Sequence, residues 1–186
     1  MIFKGDKKMK ILFVGNSHTY NYEVPYRVMQ VAKKDGVEVE AFMNAHGGWT
    51  LFGHSKEPDV PFNIMNGKFD YVVFQEHAHP FDHDGNMTAA CEKMAKMCHD
   101  VGSVPVYFMV WPQKWERERQ PIYTEGTNRV AELTGGLVAP VGIKLWEAID
   151  ANPDVEYFSP DGGHLSPEGA DLAAEIIWNT IKGNKS

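Results

Sequence analysis

Ser17 lies far in the chain from Asp161 and His164, but together the three have the residue types that hydrolytic acyl transfer needs. That chemistry requires an exposed hydroxyl, a base within hydrogen-bond reach, a group to orient the base, and donors for the oxyanion. Ser17 follows Ile11-Leu12-Phe13-Val14-Gly15-Asn16, four apolar residues that run into a glycine and a small polar pair. This reads as a buried first strand whose tight turn presents the hydroxyl. In open α/β sheets, sites form at the carboxyl ends of the strands. Asp161-Gly162-Gly163-His164 can fold back on itself. Its carboxylate then accepts from one imidazole nitrogen and leaves the other to take the serine proton. Gly47-Gly48, after the second strand, offer backbone N–H groups that a substrate oxygen can approach closely. The N–H of Ser17 points the same way.

The elements that must position these groups are legible from hydrophobic periodicity. Apolar runs at 11–14, 71–74 and 106–110 are what strands covered on both faces require. Val37 to Phe42 alternates with period two, which fits a strand with one wet side near a sheet edge. Leu137 to Val141 is a fifth, short strand. Pro25 fits the first turn of a helix that ends at Lys33-Lys34-Asp35-Gly36. Residues 50–65 suggest a short helix plus a loop, Met87 to Val101 a helix, and Pro112 to Glu125 a polar crossover before helical Thr127 to Leu133. Gly142 to Ile149 is a short helix. Ser166 is a helix N-cap, with Pro167 at the first helical position and Glu168 in the first turn. Strands alternate with helices five times, which indicates a three-layer α/β domain with a mostly parallel five-stranded sheet. Residues 1–9 are expected to be an extension, and 10–186 a single domain.

Composition narrows the partners. The 186 residues carry a net charge of −7, and the 18 basic residues cluster only at Lys7, Lys8 and Lys10. A nucleic-acid partner would want a basic stripe, so none is expected. The segment before Ile11 has no apolar h-region, and the run at 11–14 is too short to span a bilayer, so a cytoplasmic protein with no membrane partner is expected. Cys91 and Cys98 are seven apart, roughly 10 Å along a helix, too far for a disulfide and consistent with two buried thiols.

With these residues in view, the chain resembles the SGNH (GDSL-type) hydrolase superfamily over about residues 10 to 182. The resemblance rests on Gly15-Asn16-Ser17 after strand one, a glycine after strand two, a polar side chain after strand three, and Asp161-Gly162-Gly163-His164-Leu165-Ser166-Pro167-Glu168-Gly169 before the last helix. Asn16 stands where many members have Asp. The resemblance implies a flavodoxin-like α/β/α sandwich and a carboxylic ester hydrolase without a cofactor. Ser17 would be the nucleophile, His164 the base, Asp161 its orienter, and Gly48 or Gly47 an oxyanion donor beside the Ser17 amide. Members usually carry Gly-x-Asn-Asp after strand three, where this chain reads Gln75-Glu76-His77-Ala78-His79-Pro80. His79 falls where the Asn would. Gln75 resembles the Gln of some acetylxylan- and sialate-esterase-like branches and is the preferred donor, with His79 second. The substrate implied is a short acyl ester, with acetylated sugars among the candidates.

Two other readings compete. His77-Ala78-His79-Pro80-Phe81-Asp82-His83-Asp84 is similar to the His-x-His-x-Asp-His signature of metallo-β-lactamase-type hydrolases, with one extra residue, and would make His77, His79 and His83 metal ligands. The second is a catalytically idle carbohydrate-binding module. Trp49 and Trp111, in strand-end loops, and His18, beside the nucleophile, are candidates for substrate contact, and Trp115 shares their loop position. His46 and His54 read as structural histidines, and His99 as a residue late in a helix with no functional role.

Overall fold

The computed structural model describes residues 8–81 and 85–184. Its sheet contains β1 (Met9–Gly15), β2 (Val39–Ala45), β3 (Tyr71–Phe74), β4 (Val104–Phe108) and β5 (Leu137–Ala139), in the order β2-β1-β3-β4-β5. All four pairings are parallel. This is the flavodoxin-like order, and the sheet is wholly rather than mostly parallel. β2 is an edge strand, as its alternation implies. β1 opens at Met9, at the end of the expected extension, whose residues 1–7 lie outside the described residues.

Successive side chains of a strand point to opposite faces, and here each face finds its own core. Ile11, Phe13, Val73, Val106 and Phe108 pack with residues of α2 (Val24–Lys34), α7 (Val141–Ala151) and α8 (Pro167–Gly183). Leu12, Val14, Val72, Phe74 and Tyr107 pack with residues of α3 (Leu51–Lys56), α4 (Asp59–Asn66) and α5 (Gly85–Asp100). α6 (Gln120–Thr134) serves both cores, with Tyr123 on one side and Val130 and Ala131 on the other. The result is the α/β/α sandwich expected from the sequence. A four-residue helix, α1 (Ser17–Tyr20), follows β1 directly.

Two stretches differ from the sequence-based expectation. Residues 50–65 form two helices: Thr50 caps α3 by accepting from the Gly53 N–H, and Pro58 precedes α4. In the polar crossover, α6 begins at Gln120, with Pro121 in its first turn, where a missing N–H breaks no helical bond. The last helix starts as read, with Ser166 Oγ accepting from the Gly169 N–H at 3.1 Å. Cys91 and Cys98 are free buried thiols, and burial pushes both pKa values up, that of Cys98 to about 12. Among the described residues no helix is long and apolar enough to cross a membrane.

The double-sided core predicts a sharp contrast between two phenylalanines. Phe13 is fully buried in β1, whereas Phe42 on edge strand β2 is 41% exposed. Phe13→Ala should cost about 3–5 kcal/mol in urea unfolding, and Phe42→Ala less than about 1 kcal/mol. Equal losses would contradict this placement of the core.

Candidate active site

The turn after β1 is held from below by β3. Gln75, the residue that follows β3, is 1% exposed, and its Oε1 accepts from the Asn16 N–H and from the Thr19 hydroxyl, both at 2.9 Å. Gly15 makes this possible, because a Cβ there would lie 2.4 Å from Thr19 Oγ1 and 2.6 Å from Gln75 Oε1. Asn16 is itself fully buried. Its Oδ1 accepts from the His18 N–H, and its Nδ2 donates to the Trp49 carbonyl. His54, also buried, bonds the Gly15 carbonyl through Nε2 at 2.7 Å, the structural role expected of it. The backbone of Gly15 and Asn16 and the Asn16 side chain are thereby engaged in fixing the turn that carries Ser17.

The second turn is built before α8. Asp161 Oδ1 accepts from the backbone N–H groups of Gly163 and His164, each at 2.9 Å. Asp161 Oδ2 lies 2.6 Å from His164 Nδ1. That bond puts the imidazole proton on Nδ1 and leaves Nε2 as an acceptor. Nε2 lies 2.8 Å from Ser17 Oγ, so the hydroxyl donates to it. Burial alone would raise the Asp161 pKa. The hydrogen bonds from the His164 ring and from the two amides outweigh it and hold the carboxyl at about 2. The segment after β4 fixes this loop from the side: Trp111 Nε1 donates to the Gly163 carbonyl at 2.9 Å, and the Lys114 N–H donates to the Gly162 carbonyl at 2.8 Å.

These groups face a cavity of about 320 Å³ lined by Ser17, His18, Gly48, His77, His79, Gln113, Asp161, Gly163 and His164. Gly48 has φ +72°, a left-handed conformation open to glycine at little cost. Among the described residues, neither the Ser17 nor the Gly48 N–H has a protein acceptor. The structure thus brings together Ser17, Asp161, His164, Gly48, His18 and His79. Gln113 and His77 were missed as lining residues. Both sit in irregular segments that carry no periodic signal.

Three expectations about individual side chains are corrected. Gln75 does not line the cavity: it is buried, its Oε1 bonds the turn that carries Ser17, and its Nε2 donates to the Glu76 carbonyl. Trp111 is fully buried and cannot touch a ligand; its indole supports the loop that carries His164. Trp49 packs on His46 and His54 instead of lining the cavity. Among the described residues no group of three or more His, Cys, Asp or Glu could hold an ion. His77 Nδ1 bonds the Pro80 carbonyl at 3.0 Å, while His83 lies outside the described residues.

Burial lowers the pKa of His18, His54 and His79, His18 most strongly, with the neighbouring histidines adding to the effect on each. The folded chain therefore holds these rings neutral below the ordinary histidine value of 6.5, where the unfolded chain binds protons. Unfolding then takes up protons, so stability must fall as pH is lowered through that range. Thermal melts should show a lower Tm at about pH 5.5 than at about pH 7.5. A flat profile would contradict neutral burial of these rings.

A scan against protein-family models and a search of curated proteins give no match. Solved structures do match over nearly the whole chain. A protein assigned to the SGNH hydrolases from Slackia heliotrinireducens is 25% identical, with a TM-score of 0.77 over 94% of this chain and 100% of that one. A lipase/acylhydrolase from Enterococcus faecalis is 21% identical, with a TM-score of 0.72 over 95% and 96%. A carbohydrate esterase of family 3 from Talaromyces cellulolyticus is 14% identical, with a TM-score of 0.74 over 95% and 97%. The likeness to SGNH/GDSL-type hydrolases drawn from the sequence is therefore borne out, and the chain has the fold of that superfamily.

Proposed function

We propose that the chain is a serine-dependent hydrolase of short acyl esters that works through an acyl-enzyme. The observation that carries this reading is the aligned relay Asp161 Oδ2, His164 Nδ1, His164 Nε2, Ser17 Oγ at the wall of an open cavity. In the first step Ser17 Oγ bonds to the ester carbonyl carbon while its proton passes to His164 Nε2 and the carbonyl π pair moves onto oxygen. The unpaired Ser17 and Gly48 amides are suited to receive that oxygen. The burial of Gln75 outside the cavity supports giving the side-chain part of this role to His79, which lines it. Collapse of the intermediate breaks the bond to the alcohol, which leaves with the proton from His164. Water then attacks the acyl-enzyme with His164 again as base, releasing the acid and restoring Ser17. Asp161, ionised across the working range, stabilises the imidazolium in both halves.

The small cavity favours a short acyl group. Trp115 offers the alcohol part a platform: it is 65% exposed and its ring covers Gly162, next to Asp161. A sugar ring suits such a surface, and one of the structural neighbours is itself named a carbohydrate esterase. We therefore place acetylated sugars first among the natural esters.

Turnover of p-nitrophenyl acetate tests the assignment. The wild-type chain should hydrolyse it, Ser17→Ala should lose about 1,000-fold or more in kcat, and His79→Ala about 100-fold. A Ser17→Ala variant as fast as wild type would overturn the nucleophile. Sugar binding without turnover by the wild-type chain would favour the idle binding module.

A further inference from the structure

His18 stands directly after the nucleophile in sequence, and its ring lies almost flat on the ring of His164. The centroids are 4.7 Å apart and the planes 23° from parallel. On another side, the Trp111 ring meets His18 at 5.1 Å and 89°, edge to face. His79 closes a third side at 5.5 Å. Only 7% of His18 is exposed, and its Nδ1 is buried with no hydrogen-bond partner among the described residues. An unpaired buried polar nitrogen is costly, and an apolar side chain would fill the same space without that cost. What the ring makes is a stack on His164, with a fully buried tryptophan packed edge to face against it.

We propose that His18 is a positioning residue, whose aromatic face fixes the plane of His164 so that Nε2 meets Ser17 Oγ and whose π cloud meets the positive charge that His164 acquires. This deepens, and rests on, the reading of Ser17 and His164 as nucleophile and base. The charge arises when Ser17 Oγ bonds to the substrate carbonyl carbon, its proton moves to Nε2 and the carbonyl electron pair moves onto oxygen. The imidazolium so formed is held on one edge by the Asp161 carboxylate and on one face by an aromatic ring, whose negative quadrupole attracts a cation. The contribution grows in the transition state, because His164 is neutral before the proton moves. It therefore acts on kcat more than on KM.

For the face to attract the imidazolium, His18 must itself stay neutral. Its titratable neighbours are His164 and Asp161 from the loop before α8, and His77 and His79 from the loop after β3. Burial disfavours the charged His18 ring most, the three histidines disfavour it further, and only Asp161 opposes them. A proton entering this group of rings therefore does not settle on His18. This separates His18 from a residue that contacts substrate through a charge, and it changes the role expected of it from the sequence.

The test uses three variants of the full chain: His18→Phe keeps an aromatic face, His18→Leu keeps bulk without one, and His18→Ala keeps neither. The readouts are kcat and KM for p-nitrophenyl acetate, together with the His164 ring titration followed by nitrogen-15 NMR. His18→Phe should stay within about 3-fold of wild-type kcat. His18→Leu and His18→Ala should lose about 10-fold or more, with KM within about 2-fold. In His18→Leu the His164 titration midpoint should also fall by about 0.5 pH unit or more relative to His18→Phe, because the imidazolium has lost its π partner. Equal kcat and equal His164 titration in His18→Leu and His18→Phe would overturn the proposal, as would a change confined to KM. A wild-type chain inactive on the ester would defeat the hydrolase reading, and the NMR comparison would still decide whether the stack acts on His164.

Discussion

The hydrogen bond between Ser17 Oγ and His164 Nε2 joins residues 147 positions apart, and neither side chain could find the other without two separately anchored turns. One turn grows out of β1, the second strand in from one edge of a parallel sheet. It is fastened to the neighbouring strand through the Gln75 side chain, while His54 holds the Gly15 carbonyl and Asn16 ties the turn to the Trp49 carbonyl. The other turn precedes α8 and is fixed within itself by the Asp161 carboxylate and from outside by the Trp111 indole. A relay that must hold to a fraction of an ångström is thus built on strand ends and short braced loops, the arrangement that rigid scaffolds permit.

The electrostatics follow from that geometry. Among the residues lining the cavity, Asp161 is the one carboxylate, and its hydrogen bonds keep it ionised far into acid. His18 and His79 line the same cavity, and burial keeps them neutral. Among the described residues lining it, the cavity therefore holds one fixed negative charge, the Asp161 carboxylate against His164 Nδ1, with His18 and His79 resisting protonation nearby. Pushing the pKa values of neighbouring groups apart in this way assigns roles to otherwise similar side chains. In the proposed reaction, charge developing on His164 would meet Asp161 directly, and charge developing on a substrate oxygen would face the Ser17 and Gly48 amides rather than bulk water.

Much of the fold and the relay was legible in the sequence, because the signals were local. Ile11 to Val14 announced a strand covered on both faces. Asp161-Gly162-Gly163-His164 placed carboxylate and imidazole three residues apart on a turn, and Ser166-Pro167 marked the helix start. Side-chain direction was not legible. Gln75 and His79 both follow β3, and nothing in their spacing tells that one points down to the nucleophile turn while the other faces the cavity. Trp111 read as a platform for substrate, whereas it is fully buried and its indole bonds the Gly163 carbonyl across the fold. The stack of His18 on His164 is likewise a contact between chain ends, invisible to any window of neighbouring residues. The start of α6 escaped notice because the charged segment before it masks the helical period.

The account stands on Ser17 being a nucleophile activated by His164. Treating the wild-type chain with a fluorophosphonate and mapping the adduct by mass spectrometry tests this most directly. A hydroxyl with a base at 2.8 Å should take one phosphonyl group per chain at Ser17, and His164→Ala should suppress the adduct. An unlabelled Ser17 in the wild-type chain, or labelling that does not need His164, would contradict the account.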